Sequence, residues 1–204
     1  MTNDAISEMI DMVFDVEGST LPATYPFVLW PALTHHAPQL AKEKLIGVLP
    51  LRSSVNHQGM VLSKRAKLTL RLPVTLVDSV STSLTGQLLD MNGSSIRLGA
   101  AKTRPIHPFP TIHAQMVAGT TDEVQFIDDI NMQLKTLGVS GNLICGKRHS
   151  ITSEQQHIHG FSLVIHDLKP DASLKLQYAG LGGSRQFGCG IFIPYKVISG
   201  LSDD

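Results

Sequence analysis

At 204 residues, with 42% hydrophobic and 17% charged side chains, the chain has the composition of a folded globular protein and room for one large or two small cores. That excludes a disordered chain, and no apolar run is long enough to span a bilayer. Two cysteines, Cys145 and Cys189, are too few for a disulfide framework and read as buried free thiols. No cleavable leader pattern opens the sequence, so the expectation is a cytoplasmic protein with no membrane partner.

Formal net charge is zero, yet the charges are segregated. Residues 1–20 carry Asp4, Glu8, Asp11, Asp15 and Glu17 without a lysine or arginine, and a second acidic group lies at Asp122, Glu123, Asp128 and Asp129. Basic residues gather at Lys64, Arg65, Lys67 and Arg71, at Lys102 and Arg104, and at Lys147 and Arg148. Such a distribution allows one basic face on a neutral molecule, or simply solvated strand faces and turns.

In chain order, residues 10–16 alternate as a half-buried strand does and end at Gly18. Thr24 and Pro26 open a helix whose apolar stripe is Phe27, Trp30, Leu33, Ala37 and Leu40, segmented by Pro31 and Pro38. Residues 46–51 and 60–63 bracket a loop with Asn56, His57 and Gly59, a hairpin leading into a strand over 67–72. Pro73 opens a helix over 74–84, closed by Gly86, and residues 88–90 and 95–98 flank the turn signal Asn92-Gly93. Pro105, Pro108 and Pro110 mark residues 101–111 as a linker between a first domain, 1–100, and a second, 112–204.

The pattern then restarts. Residues 111–118 form a strand, and Thr121-Asp122-Glu123 begins a helix with the face Val124, Ile127, Ile130, Leu134 and Leu137, stopped by Gly138. Strands follow over 142–145 and 158–165, a helix begins at Pro170, and a strand covers 188–194. Two β-α-β-β-α-β runs predict an α+β protein of two tandem ferredoxin-like domains with a C-terminal glycine-rich loop.

That loop holds Gly180, Gly182, Gly183, Gly188 and Gly190 with Arg185 among them. Glycines let successive backbone N–H groups turn toward an anion, so it reads as a phosphate cradle with Arg185 adding charge, or as a connection without a ligand. Helix precedes it and strand follows, the reverse of a dinucleotide or P-loop site, which speaks against a nucleotide-binding regulator. Among nine histidines, His35 and His36 are adjacent on the first helix. At 100° per residue His36 falls on the flank of the apolar stripe and His35 nearly opposite, which favours His36 as an acid or base or leaves both as surface residues.

His157 and His159, with Cys145 and His149, are the residue types of a zinc site at a spacing that is not standard, and they also suit a polar rim on a strand. No acidic pair is placed to hold Mg²⁺, so no cofactor and no metal is expected. Lys147-Arg148-His149 reads as a phosphate contact at a hairpin end.

The run from Gly180 through Gly182, Gly183 and Arg185 to Gly188-Cys189-Gly190 and Ile191-Phe192-Ile193-Pro194-Tyr195 resembles the glycine-rich signature of the CRISPR-associated RNA-processing endoribonucleases, MYXAN-subtype branch. Phe27-Val28-Leu29-Trp30-Pro31, Arg71-Leu72-Pro73, Gly146-Lys147-Arg148 and Gly160-Phe161-Ser162 fall in that branch's order. The resemblance implies an endoribonuclease that binds the hairpin of a CRISPR repeat and cuts precursor CRISPR RNA by metal-independent attack of a 2′-hydroxyl. It implies catalysis by His36, supported by His35 or Tyr25, with Lys42 or Lys44 stabilising charge, and RNA held by Lys147, Arg148 and the loop. A histidine of the branch stands where this chain has Tyr25, which keeps open an inactive hairpin-binding subunit. Partners implied are repeat RNA, the mature guide and other effector-complex subunits.

Overall fold

A computed structural model describes residues 7–56 and 59–195; Asp4 and His57 lie outside the described residues. The first half runs β1 (Met9–Glu17), β2 (Thr20–Leu21), α1 (Tyr25–His36), β3 (Gly47–Val48), β4 (Ser53–Asn56), β5 (Gly59–Leu62), β6 (Lys67–Pro73), α2 (Val77–Leu84), β7 (Leu88–Asp90) and β8 (Ser95–Pro105). The second runs β9 (Ile112–Ala118), α3 (Glu123–Leu137), β10 (Asn142–Thr152), β11 (His157–His166), α4 (Pro170–Ala179) and β12 (Ile193–Pro194).

In the first half the sheet order is β3-β6-β1-β8-β7, antiparallel throughout. Removing the edge strand β7 leaves the split β-α-β order of a ferredoxin-like domain. Met12 and Phe14 of β1 and Leu68, Leu70 and Leu72 of β6 pack against Leu29 and Leu33 of α1 and Val80 and Leu84 of α2. Each such buried side chain contributes about 1.5–3 kcal/mol of apolar transfer. A small sheet, β2-β5-β4, joins the short strand ahead of α1 to the hairpin that lies between α1 and β6.

The second sheet, β10-β11-β9-β12, has the same order without the extra strand. Its core joins Phe126, Ile130 and Leu134 of α3 to Phe161, Leu163 and Ile165 of β11 and Leu176 of α4. Asp122 caps α3 by accepting from Gln125 N–H at 2.9 Å, and Gly138 ends it in the left-handed region at φ 64°. The chain is therefore an α+β protein of two tandem ferredoxin-like units. Among the described residues no helix is long and apolar enough to cross a membrane.

Several expectations are corrected. The buried stripe of α1 is Tyr25, Leu29 and Leu33, continued by Ala37 and Leu40; Phe27 and Trp30 are half-buried beside it. Residues 46–51 do not form the expected hairpin, because β3 joins the main sheet through β6 while β4 pairs with β5. The stretch read as linker from residue 101 is strand through Pro105, since β8 pairs with β1 as far as Ile10↔Pro105. Val124 is 72% exposed, and Phe126 takes the buried place on α3. The last strand is only β12, because Gly188 and Gly190 at φ 92° and 65° turn the preceding segment out of extended backbone.

Candidate functional site

His35 and His36 sit in the last turn of α1, where Ala37 ends the helix ahead of the 3₁₀ turn Pro38–Lys42. His36 is half-buried and His35 exposed, and the two rings meet edge to face with centroids 5.1 Å apart. Both line a groove of about 480 Å³ between α1 and the β7–β8 turn, with Pro31, Leu88 and Asp90 among its walls. Lys42 closes the 3₁₀ turn and, like Lys44, is exposed. The groove thus offers two imidazoles to solvent, with two flexible ammonium groups on the segment that follows.

Tyr25 lies at the other end of the same helix, about 16 Å from His36 along the axis at 1.5 Å per residue. It is buried, and its hydroxyl accepts from Leu51 N–H at 3.1 Å. Burial pushes its pKa above the usual tyrosine value, partly offset by that hydrogen bond. Tyr25 is therefore a core residue with a satisfied hydroxyl, which corrects its place as support for His36.

The glycine-rich loop is also corrected. Gly180 N–H donates to Leu176 O, Gly182 N–H to the Gln133 side chain, Gly188 N–H to Arg185 O and Gly190 N–H to Met116 O, so these four donors are already used within the protein. A Cβ at Gly180 would run into the Arg185 guanidinium, and one at Gly182 into Ala118 O on β9. Here glycine is needed for close approach and for φ 67° and 80°. Gly183 alone has open space around it.

Arg185 is 5% exposed. Its Nε donates to Leu45 O at 3.2 Å and its Nη1 to Gly190 O at 3.3 Å, while Nη2 is buried without a partner among the described residues. Burial, then the nearby Arg71, lower its pKa to about 10 against the pull of Asp11, so it stays cationic at neutral pH. It braces the loop against the first half and is not an exposed phosphate ligand.

Arg71, 1% exposed, does the reverse from the first half. Its Nη1 donates to Gln177 O at 3.1 Å and Phe192 O at 2.6 Å, and its other donors pair with Asp11 at 2.7 and 3.0 Å. Of the basic residues expected on one face or on solvated strands, Arg71 is buried. Only the hydrogen-bond partners, far away in sequence, distinguish such an arginine from a surface one.

Lys147 and Arg148 are exposed, but not at a hairpin end. β10 continues through Thr152, and the two lie at a register shift between Cys145 and Arg148. His157 and His159 share a face of β11 with rings stacked at 6.5 Å. Among the described residues no three His, Cys, Asp or Glu side chains converge as metal ligands. Burial pushes the Cys189 thiol up to about 11 and raises Cys145 as well, the latter aided by Glu123.

Two ferredoxin-like units, stapled by a buried arginine from each side and carrying an open histidine groove, define a tandem ferredoxin-like protein. A family model described as Cas6 CRISPR matches residues 10–197, and the chain belongs to the Cas6 family. A CRISPR-associated endonuclease Cas6 from Myxococcus xanthus is 31% identical over 187 residues, covering 91% of this chain and 81% of the relative. Among solved structures, a Cas6-related protein from Pyrococcus furiosus superposes with TM-score 0.68 at 11% identity, covering 91% of this chain and 98% of that one. Thermus thermophilus Cse3, bound to an RNA representing a pre-cleavage complex, gives TM-score 0.53 at 12% identity over 91% and 98% of the two chains.

Proposed function

We propose that this protein binds the hairpin of a CRISPR repeat RNA and cuts precursor CRISPR RNA without a metal. The observation that carries the reading is His36, half-buried and facing a groove beside a second imidazole, in a chain 31% identical to a protein named an endonuclease. In the reaction a 2′-hydroxyl attacks the adjacent phosphorus and the 5′-oxygen leaves, giving a 2′,3′-cyclic phosphate and a 5′-hydroxyl. One proton leaves the 2′-oxygen and one arrives at the 5′-oxygen. In this reading His36 moves one of them and His35 the other, and Lys42 or Lys44 stabilises charge on the phosphate oxygens. Lys147 and Arg148 hold the RNA backbone. The same reading puts the protein in the cytoplasm, kept on the mature guide beside other effector subunits.

Incubating purified protein with end-labelled repeat RNA in excess EDTA tests this. Cleavage to the stated ends supports the proposal. Tight binding with intact RNA supports the other reading, a silent hairpin-binding subunit, which the burial of Tyr25 favours by removing one candidate proton donor from the groove.

A further inference from the structure

A second cavity, of about 580 Å³, lies between the two halves on the opposite face of the second sheet from its helices. The alternation of the strands puts it there. Ile112 and Ala114 of β9 and Leu163 and Ile165 of β11 point into the core under α3 and α4, so His113, Gln115, Ser162 and Val164 point the other way. The first half closes the cavity with Tyr25 and Pro50, and Phe187 of the glycine-rich loop reaches in beside them.

Its chemistry is specific. Among the described lining residues there is no lysine, arginine, aspartate or glutamate, so the cavity is not built for a phosphate or a metal ion. What it offers is ring faces together with a few neutral hydrogen-bonding groups. Tyr195, 47% exposed, meets His113 nearly perpendicular, at 80° with centroids 5.4 Å apart. An edge contact of that kind uses one ring's edge and one face of the other, and leaves faces free for a third ring. The Gln115 amide supplies a donor and an acceptor side by side. The Ser162 hydroxyl is held by donation to Lys147 O at 3.4 Å. Burial lowers the His113 pKa, which keeps its imidazole neutral at pH 7 with one donor and one acceptor nitrogen. The size falls within the roughly 300–1,000 Å³ of small-ligand sites.

We propose that this cleft takes one unpaired nucleobase of the bound RNA, stacked on Tyr195 and read at its edge by Gln115 and His113. The proposal rests on the RNA-binding reading above and gives it a position of sequence specificity. Lys147 and Arg148 immediately precede the lining residue His149 on β10 and are exposed, so the flanking phosphates have cations beside the cavity while the base alone enters it. Double-stranded RNA presents its base edges poorly, which places the captured letter in a single-stranded stretch next to the hairpin.

The test is a binding scan with repeat RNAs that each carry one abasic nucleotide. For the parent protein, one unpaired position should lose about 5- to 150-fold in affinity, the range that base stacking on an aromatic side chain gives. With Tyr195→Ala that position should cease to matter, and Tyr195→Phe, which keeps the ring, should restore the parent profile. Melting curves check that each variant is folded, and Gln115→Leu, on the cavity wall, gives a second reading of the same position. An abasic profile unchanged by Tyr195→Ala and Gln115→Leu would overturn the proposal while leaving RNA binding in place. A cavity serving a free nucleotide would show that same unchanged profile together with a melting temperature raised by a nucleoside monophosphate. Parent protein that binds no repeat RNA would overturn the RNA reading and the pocket together.

Discussion

The last turn of α1 and the glycine-rich loop both carry residues that suggest chemistry, and the structure treats them oppositely. At the end of α1 the polar groups are left over: His35 and His36 face a groove, and Lys42 and Lys44 are exposed. In the loop the polar groups are spent, since four glycine N–H groups and the Arg185 guanidinium are turned toward protein carbonyls and an amide. Five glycines in eleven residues serve here to let a segment pass close to β9 and to its own backbone. A site is marked by donors and acceptors that the fold does not use, more than by residue types that resemble one.

The largest effect should therefore fall on the helix. His36→Ala is expected to lower single-turnover cleavage by roughly two to four powers of ten while repeat affinity stays within a few fold. A larger loss in His35→Ala than in His36→Ala would reverse the assignment. Next comes the loop, where stability rather than chemistry should suffer. Gly182→Val drives a β-branched side chain into Ala118 O at φ 80°, and should cost more than about 3 kcal/mol, or roughly 10 °C in melting temperature. Gly183→Ala, with open space but φ 100°, should cost only about 1 kcal/mol.

Arg185→Ala leaves Leu45 O without that donor and Gly190 O with Leu181 N–H at 3.4 Å, and should destabilise by about 2–4 kcal/mol. Folded Arg185→Ala should show the parent's salt slope for RNA binding, whereas Lys147→Ala should flatten it by about one phosphate. A flattened slope for Arg185→Ala would return the loop to the role of phosphate ligand. The smallest effect concerns His113. Because burial lowers its folded pKa below the unfolded value of 6.5, its contribution is full above that pH. As pH falls through 6.5 the unfolded chain takes up a proton that the folded protein resists, and stability is lost. Melting curves between pH 7.5 and 5 should fall less steeply for His113→Gln.

Much of the fold was legible because periodicity is local. The second half was read nearly element by element, since Asp122 and Gly138 punctuate α3 and apolar alternation marks β9 and β11. His36 is half-buried, as a flank position requires, but the stripe that served as reference for it is replaced by Tyr25, Leu29 and Leu33. Residues 147–152 were missed as strand because Lys147, Arg148, His149 and Ser150 are polar and exposed on both faces, so no period-2 signal exists. Arg185 misled for a different reason: its hydrogen-bond acceptor Leu45 lies 140 residues away, and a charged residue among glycines reads as exposed until that carbonyl is in place. On α1 both Tyr25-Leu29-Leu33 and Phe27-Trp30 are apolar, and only the packing partners decide which set is core. The cleft between the halves had no sequence signal, since His113 and Tyr195 are 82 positions apart and meet through the pairing of β12 with β9.

The exchanged arginines have a bearing on how the molecule comes apart. Arg71 leaves the first half to bind carbonyls of the second, and Arg185 leaves the second to bind Leu45 O of the first. Pulling the halves apart would break both sets of hydrogen bonds at once and part the Phe27 and Phe187 rings, whose centroids lie 5.0 Å apart, a cost that neither half recovers by staying folded. The two ferredoxin-like units should therefore melt in a single cooperative transition, with the calorimetric and van't Hoff enthalpies equal, and neither should be a stable domain when expressed alone.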